Sequence, residues 1–223
     1  MPDGQYSFYL HSDDRTDIAA MATISTISQP LRGEFIRTAA TAGAVVYQVD
    51  ARLPALIPVF FAGQLSAVRL CAVMALVSGT WSSLTGLPDE PENGGAALPV
   101  SPETEYQRRR YTLTLQNGRS GERVESVLTE ASSRLRGDLL RNLIITGLAL
   151  HTTAPELPRL LTSMPVPPTS VSELQALVQQ MAGTTAVNRA AAAVPDTPAT
   201  SAMPVSGSDT REIKKNMRRA FGD

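Results

Sequence analysis

One cysteine and two histidines in 223 residues leave little room for two kinds of chemistry. A single thiol, Cys71, cannot build a disulfide framework, and two histidines beside it cannot supply an ordinary Cys/His metal cluster. Aromatic residues make up only 5% and charged residues 18%, so alanine, leucine, valine and threonine must carry the packing. Hydrophobic residues, at 43%, still suffice for one large domain or two small ones. Long apolar runs are missing too. Residues 53–87 hold one charge, Arg69, but their longest uncharged part, 53–68, contains Pro54, Pro58, Gln64 and Ser66. That falls short of the ~20 apolar residues a bilayer requires, so buried core helices are expected. The chain opens Met-Pro-Asp without a basic region or an early apolar run, which reads as no signal peptide and a cytoplasmic location. No paired carboxylates, phosphate loop or nucleophile motif stands out, and Cys71 lies in an apolar stretch. Neither an enzyme nor a cofactor or metal site is expected.

Lysine is nearly absent as well. Both lysines of the chain, Lys214 and Lys215, lie in its last thirteen residues. The net charge of −1 conceals an uneven distribution. Residues 1–100 carry five arginines against nine acids, and residues 101–223 carry fifteen basic groups against twelve acids. The end of the chain differs chemically from the rest.

What the chain does contain is a repeat. LRGEFIRTAATAGAVVYQVDARLPAL, from Leu31, aligns without gaps on LRGDLLRNLIITGLALHTTAPELPRL, from Leu135, at an offset of 104 residues. Leu31/Leu135, Arg32/Arg136, Gly33/Gly137, Arg37/Arg141, Gly43/Gly147, Leu53/Leu157, Pro54/Pro158 and Leu56/Leu160 are identical, and Glu34 matches Asp138. Upstream of each lies a short alternating run. Tyr6, Phe8 and Leu10 alternate with Ser7, Tyr9 and His11; Tyr111, Leu113 and Leu115 alternate with Thr112, Thr114 and Gln116. A period of two predicts a half-buried strand in each copy.

Turn residues follow each run, and each predicts a helix beyond. Val124, Val127, Leu128 and Ala131 have helical spacing; Ile18, Met21, Ala22 and Ser25 give a weaker version. The second helix of each copy is expected from about Leu31 to Val49 and from about Leu135 to Thr152. Phe35, Ile36, Ala39, Ala40, Gly43, Ala44 and Tyr47 form its stripe in the first copy; Leu139, Leu140, Leu143, Ile144, Gly147 and Leu148 do so in the second. Glycine inside a helix costs ~1 kcal/mol relative to alanine. Its recurrence at one place predicts close helix–helix approach. Further helices are expected over 54–78 and 158–181, the last started by a Ser172-Glu-Leu cap.

A lone strand cannot satisfy its backbone or bury its inner face. Pairing the two strands antiparallel over four helices solves both problems within one chain. The predicted fold is mostly α with a short two-stranded antiparallel ribbon: a tandem ribbon–helix–helix, MetJ/Arc-like pseudo-dimer with extra cap helices. The outward side of such a ribbon fits the DNA major groove. In the second copy Arg108, Arg109 and Arg110 lead into Thr112, Thr114 and Gln116, all donors suited to phosphates or base edges. The bland reading of the arginines is a solvated charge cluster. In the first copy Ser7, Tyr9 and His11 can hydrogen-bond bases, but no basic residue precedes Tyr6, and Asp13 and Asp14 repel phosphate. The Leu-Arg-Gly that opens each second helix would present backbone N–H groups with Arg32, or with Arg136 and Gly137, to a phosphate. Arg37 and Arg141, one turn further on, are expected to be salt-bridged.

From 184 to 210 the composition turns to Ala, Pro, Ser and Thr without an apolar face, which predicts a disordered linker. Its coil span would be roughly 25–30 Å. Residues 211–223 follow. Ile213, Met217 and Phe221 recur every four residues, while Lys214, Lys215 and Arg218 take other faces. A helix this short is marginal alone in water, so an exposed apolar stripe implies a partner groove. The alternative is a frayed basic end that adds non-specific DNA affinity. The expected organisation is a first copy with cap helices at 1–88, a linker at 89–105, a second copy with a cap helix at 106–183, the disordered linker at 184–210, and the partner-binding helix at 211–223.

The second copy, RRRYTLTLQNG…LRGDLLRNLIITGLALHTTAPELPRLL, resembles ParR, the centromere-binding adaptor of actin-like (type II) plasmid partition systems. Lys214-Lys215-Asn216-Met217 resembles that family's C-terminal motor-binding peptide. The resemblance covers about 108–181 and 211–221, and it departs from the family in carrying two ribbons per chain. It implies double-stranded centromere repeats and an actin-like, ParM-type ATPase filament as partners, self-association on DNA, repression of the adaptor's own promoter, and no membrane. A tandem ribbon–helix–helix transcriptional regulator or relaxosome accessory protein would share the DNA face without needing the Ile213/Met217/Phe221 stripe.

Overall fold

A computed structural model of the chain describes residues 4–80 and 107–192, the side chains of 184–192 excepted. The first half runs β1 (Gln5–His11), α1 (Arg15–Ser25), one 3-10 turn (Gln29–Leu31), α2 (Arg32–Val49), α3 (Leu53–Phe60) and α4 (Ala67–Ser78). The second runs β2 (Arg108–Thr114), α5 (Arg119–Glu130), α6 (Arg136–Thr153), α7 (Leu157–Ser163) and α8 (Val171–Ala192). Strand, two long-helix elements and a Leu-Pro helix recur in the same order. One compact unit spans Met1–Asn188; of a second, Arg189–Asp223, only the end of α8 is described.

The two strands pair with each other, antiparallel, with Ser7 opposite Thr112 and Phe8 opposite Tyr111. Each therefore satisfies the other's backbone within one chain. Alternation then sorts the side chains. Phe8, Leu10, Leu113 and Leu115 are buried on the inner face, and burying each such side chain stabilises the fold by about 1.5–3 kcal/mol. Phe8 and Tyr111 stack with ring centroids 5.3 Å apart. This is the tandem ribbon–helix–helix architecture that the duplicated sequence predicts.

Beneath the ribbon, α2 and α6 form the centre of the molecule. Their stripes widen to the whole circumference: residues 41–46 and 143–150 are buried without interruption. The paired glycines explain how two such helices approach. A β-carbon on Gly43 would overlap the Leu143 backbone, and one on Gly147 would overlap the Ala39 backbone. Pro54 and Pro158 sit in the first turns of α3 and α7, where a missing N–H costs nothing. The helical stretch expected over 54–78 is two short helices, the second capped by Ser66, whose Oγ accepts the Arg69 N–H at 3.3 Å. No described helix is long and apolar enough to cross a membrane.

Two details differ from the sequence pattern. In α1 the buried residues are Asp17, Ala19, Ala20 and Ile24, whereas Ala22 and Ser25 of the expected stripe are exposed. Hydropathy misplaces this face because its anchor is a charge, the fully buried Asp17. At α8 the start is capped by Ser170, not Ser172: Ser170 Oγ accepts the Glu173 N–H at 3.3 Å, and the Glu173 carboxylate accepts the Thr169 N–H at 2.8 Å. These contacts hold the Glu173 carboxyl below the ordinary range. The helix also continues to Ala192, past the linker boundary expected at 184. Alanines at 190–192 are the strongest helix formers and extend it. The rest of the expected linker and the 211–223 helix, with Ile213, Lys214, Lys215, Met217, Arg218 and Phe221, lie outside the described residues, as does the linker at 89–105.

Candidate nucleic-acid interface

The register that buries one face of the ribbon fixes what the other presents. Gln5 lies opposite Thr114, Ser7 opposite Thr112, Tyr9 opposite Arg110 and His11 opposite Arg108. A one-residue slip would send every one of these groups to the wrong side, so the hydrophobic pattern itself specifies the polar face. Arg108, Arg110, Thr112, Thr114 and Gln5 are exposed; Ser7, Tyr9 and His11 are partly covered.

Contacts across the strands order this face. Arg110 donates to Ser7 Oγ from Nε at 3.2 Å and from Nη2 at 2.9 Å. The Arg108 guanidinium carbon lies 3.6 Å from the centre of the Tyr9 ring. At that distance the cation is attracted by the ring's negative face. Both arginines are thus aligned along the ribbon by uncharged partners.

Arg109 belongs to the other set. It pairs in register with the buried Leu10, and its guanidinium sits 5.3 Å from the Tyr111 ring. Of three consecutive arginines, only Arg108 and Arg110 share the outward side, because side chains alternate along a strand. Burial pushes the Tyr111 hydroxyl above its ordinary pKa, while the charges of Arg109 and Arg32 pull it down. Gln116 is exposed just beyond the end of β2.

The duplicated Leu-Arg-Gly segments open α2 and α6 as expected, but their arginines turn back on the chain. Arg32 Nε donates to the Ile27 carbonyl at 2.8 Å and Nη2 to the Ser25 carbonyl at 3.3 Å; Arg136 Nε donates to the Ala131 carbonyl at 3.2 Å. Both fasten the preceding loop to the helix start, and a phosphate would meet only the donors left over. A β-carbon on Gly137 would meet nothing nearer than the Ser7 carbonyl oxygen, at 3.6 Å, so α6 begins close to the ribbon.

Arg141 is salt-bridged, to Asp17 at 2.6 Å and to Asp14 at 3.2 Å. The Asp17 carboxylate also accepts the His11 backbone N–H at 2.9 Å. Burial raises the Asp17 pKa above its ordinary value, against the lowering by that N–H and by Arg141. Arg37 does not follow suit: it forms no ion pair among the described residues, because the duplicate of Asp17 is Gly121. A cleft of about 520 Å³ opens at the Arg141 end, lined by Tyr9, His11 and Arg108 together with Asp14, Asp138 and Arg141. No three His, Cys, Asp or Glu side chains among the described residues are grouped to hold a metal ion.

Two features escaped the sequence reading. Gln5 joins the outward face, and extending the Ser7/Tyr9/His11 alternation one step back would have found it. Leu31 and Leu135, at duplicated positions, are each 56% exposed. Their identity in both copies was visible, but nothing in the sequence separates an exposed repeated leucine from a buried one.

A two-stranded ribbon with one polar face, carried on duplicated helices, makes this a single-chain ribbon–helix–helix pseudo-dimer. The plasmid stability protein family matches the chain twice, over residues 4–74 and again over 109–178. The chain belongs to that family, which places its role in plasmid maintenance. The two matched stretches coincide with the two copies of the repeat. No curated protein and no solved structure is a match for the chain.

Proposed function

We propose that the chain is a plasmid partition adaptor of the ParR kind, which binds duplex DNA through the ribbon and an actin-like filament through residues 211–223. The observation that carries the reading is the outward register itself. Arg108, Arg110, Thr112 and Thr114 stand beside Gln5, Ser7, Tyr9 and His11 on a solvent face whose reverse side is core. Such a ribbon enters a major groove as a rigid body. Arginine and glutamine forks read base edges, threonine reads either edge or a thymine methyl, and remaining donors hold phosphates. Membership in a plasmid stability family supports a plasmid-borne target.

The filament half of the reading rests on the tail sequence. Ile213, Met217 and Phe221 form one apolar stripe, set among the only lysines of the chain. Copies side by side on repeated centromere DNA would present many tails at once. Weak single contacts then sum, because every contact after the first is intramolecular. Binding across its own promoter would make the same protein a repressor.

The test uses the full chain on plasmid DNA and on the filament. Arg108→Ala with Arg110→Ala is expected to weaken binding and to lower the log–log salt slope by up to ~0.9 per lost phosphate contact. Arg109→Ala, off the outward face, is expected to leave base discrimination unchanged. Deleting 211–223 is expected to abolish filament stabilisation while sparing specific DNA binding. Equal stabilisation by the truncated chain would sink the adaptor half and leave a DNA-binding regulator.

A further inference from the structure

We propose that the ribbon reads a non-palindromic DNA site in one fixed orientation, with guanine under one end and adenine under the other. The inference rests on the DNA-binding reading above and goes beyond it to the class of sequence recognised.

Aligning Tyr6 with Tyr111, Phe8 with Leu113 and Leu10 with Leu115 makes Ser7 and Thr112 equivalent. They are also directly opposite each other, so the pseudo-twofold axis of the ribbon passes through that pair. Two identical chains would place identical side chains at equal distances on either side of the axis, and would call for a palindrome. This chain does not. On one side lie Tyr9 and His11 opposite Arg110 and Arg108; on the other lie Gln5 and Thr114, with Gln116 beyond. The planar guanidinium fork matches guanine O6 and N7, and the glutamine amide matches adenine N6 and N7.

The two ends also differ in how firmly they are held. Stacking of Arg108 on Tyr9 and bonding of Arg110 to Ser7 pre-order the cationic end, which lowers the entropy lost on binding. Their flanks differ in charge. Asp13, Asp14 and Asp17 follow β1 at the cationic end, and Asp14 and Asp17 neutralise Arg141. Gly118 and Gly121 occupy the duplicate positions of Asp14 and Asp17 after β2, while the arginine between them, Arg119, matches Arg15. Asp13 and Asp14, exposed beside the cationic end, repel phosphate, so base reading concentrates there and backbone anchoring at the other end.

The experiment is selection of bound duplexes from a random library by the full chain, at one fixed salt concentration, followed by the same selection with two exposed-face variants. The expected consensus is not self-complementary and has guanine at one end and adenine at the other. Arg110→Lys keeps the charge and loses the fork. It should cut guanine discrimination by about fivefold to a hundredfold at one end only, with an unchanged salt slope. Gln5→Ala should cut discrimination only at the adenine end. Unchanged circular dichroism confirms that both variants are folded. A palindromic consensus, flattening of the same base pairs by both variants, or no effect of either variant overturns the inference while leaving DNA binding intact. Enrichment of no sequence at all overturns the DNA-binding reading, and the inference with it.

Discussion

Gly43 lies against Leu143 with no room for a β-carbon, and Gly147 stands in the same relation to Ala39. Because Gly147 duplicates Gly43 and Leu143 duplicates Ala39, this is one contact made twice about the pseudo-twofold axis. The atoms in the way are backbone, which cannot rotate aside.

Gly43→Ala and Gly147→Ala should therefore each push α2 and α6 apart. The expected loss is about 1–3 kcal/mol or more, the cost of overpacking a tight core. Gly33→Ala is the control: a β-carbon there meets nothing within 4 Å, so the better helix former should stabilise slightly. Urea unfolding of the three variants measures all of this. Equal stability of Gly43→Ala and Gly33→Ala would mean that the helices do not meet at these glycines.

Both strands of the ribbon come from one chain, so no association is needed to form it. The unfolding midpoint should stay constant as protein concentration is varied a hundredfold. A midpoint that climbs with concentration would point to strands exchanged between chains.

Thr146 carries a buried hydroxyl with no hydrogen-bond partner among the described residues, and its duplicate is Ala42. An apolar side chain is thus already used at the equivalent place. Thr146→Val keeps the shape and removes the orphan group. Stability should rise by about 1 kcal/mol, or roughly 2–4 °C in Tm. A fall in Tm by calorimetry would reveal a partner for the hydroxyl.

Asp17 makes stability depend on pH in an unusual direction. Burial raises its folded pKa above the ordinary 3.8, against the pull of the His11 N–H and of Arg141. In the window above 3.8 the folded state keeps a proton that the unfolded chain has shed. The stability this group contributes is complete below that window and is lost as pH rises through the folded value. Asp17→Asn cannot ionise. The advantage of the natural chain over this variant should therefore shrink as pH rises from below the ordinary aspartate range toward neutrality. An advantage that grows instead would mean that Arg141 and the amide outweigh burial.

Much of this architecture was legible because it is written twice. The Leu-Arg-Gly, glycine and Leu-Pro landmarks recur in order, and a strand with no partner in its own copy demands the other. Val124, Val127 and Leu128 predicted the buried face of α5 correctly, since an apolar stripe needs only periodicity to be seen. The face of α1 was only half legible, for the opposite reason: Met21 packs on the core, but Ala22 and Ser25 are exposed. Its anchor, Asp17, is polar in the sequence and becomes core only when Arg141, 124 residues away, reaches it.

The sequence alone determined the duplication, the ribbon, and the residue types on its two faces, because each follows from local period or from identity at a fixed offset. Tertiary structure decided what no local pattern holds. It set the cross-strand register and gave Arg141 an acid that Arg37 lacks. Both depend on which distant segments the packing of one copy against the other brings within a few ångströms. That packing joins residues far apart in the chain, and short-range periodicity carries no record of it.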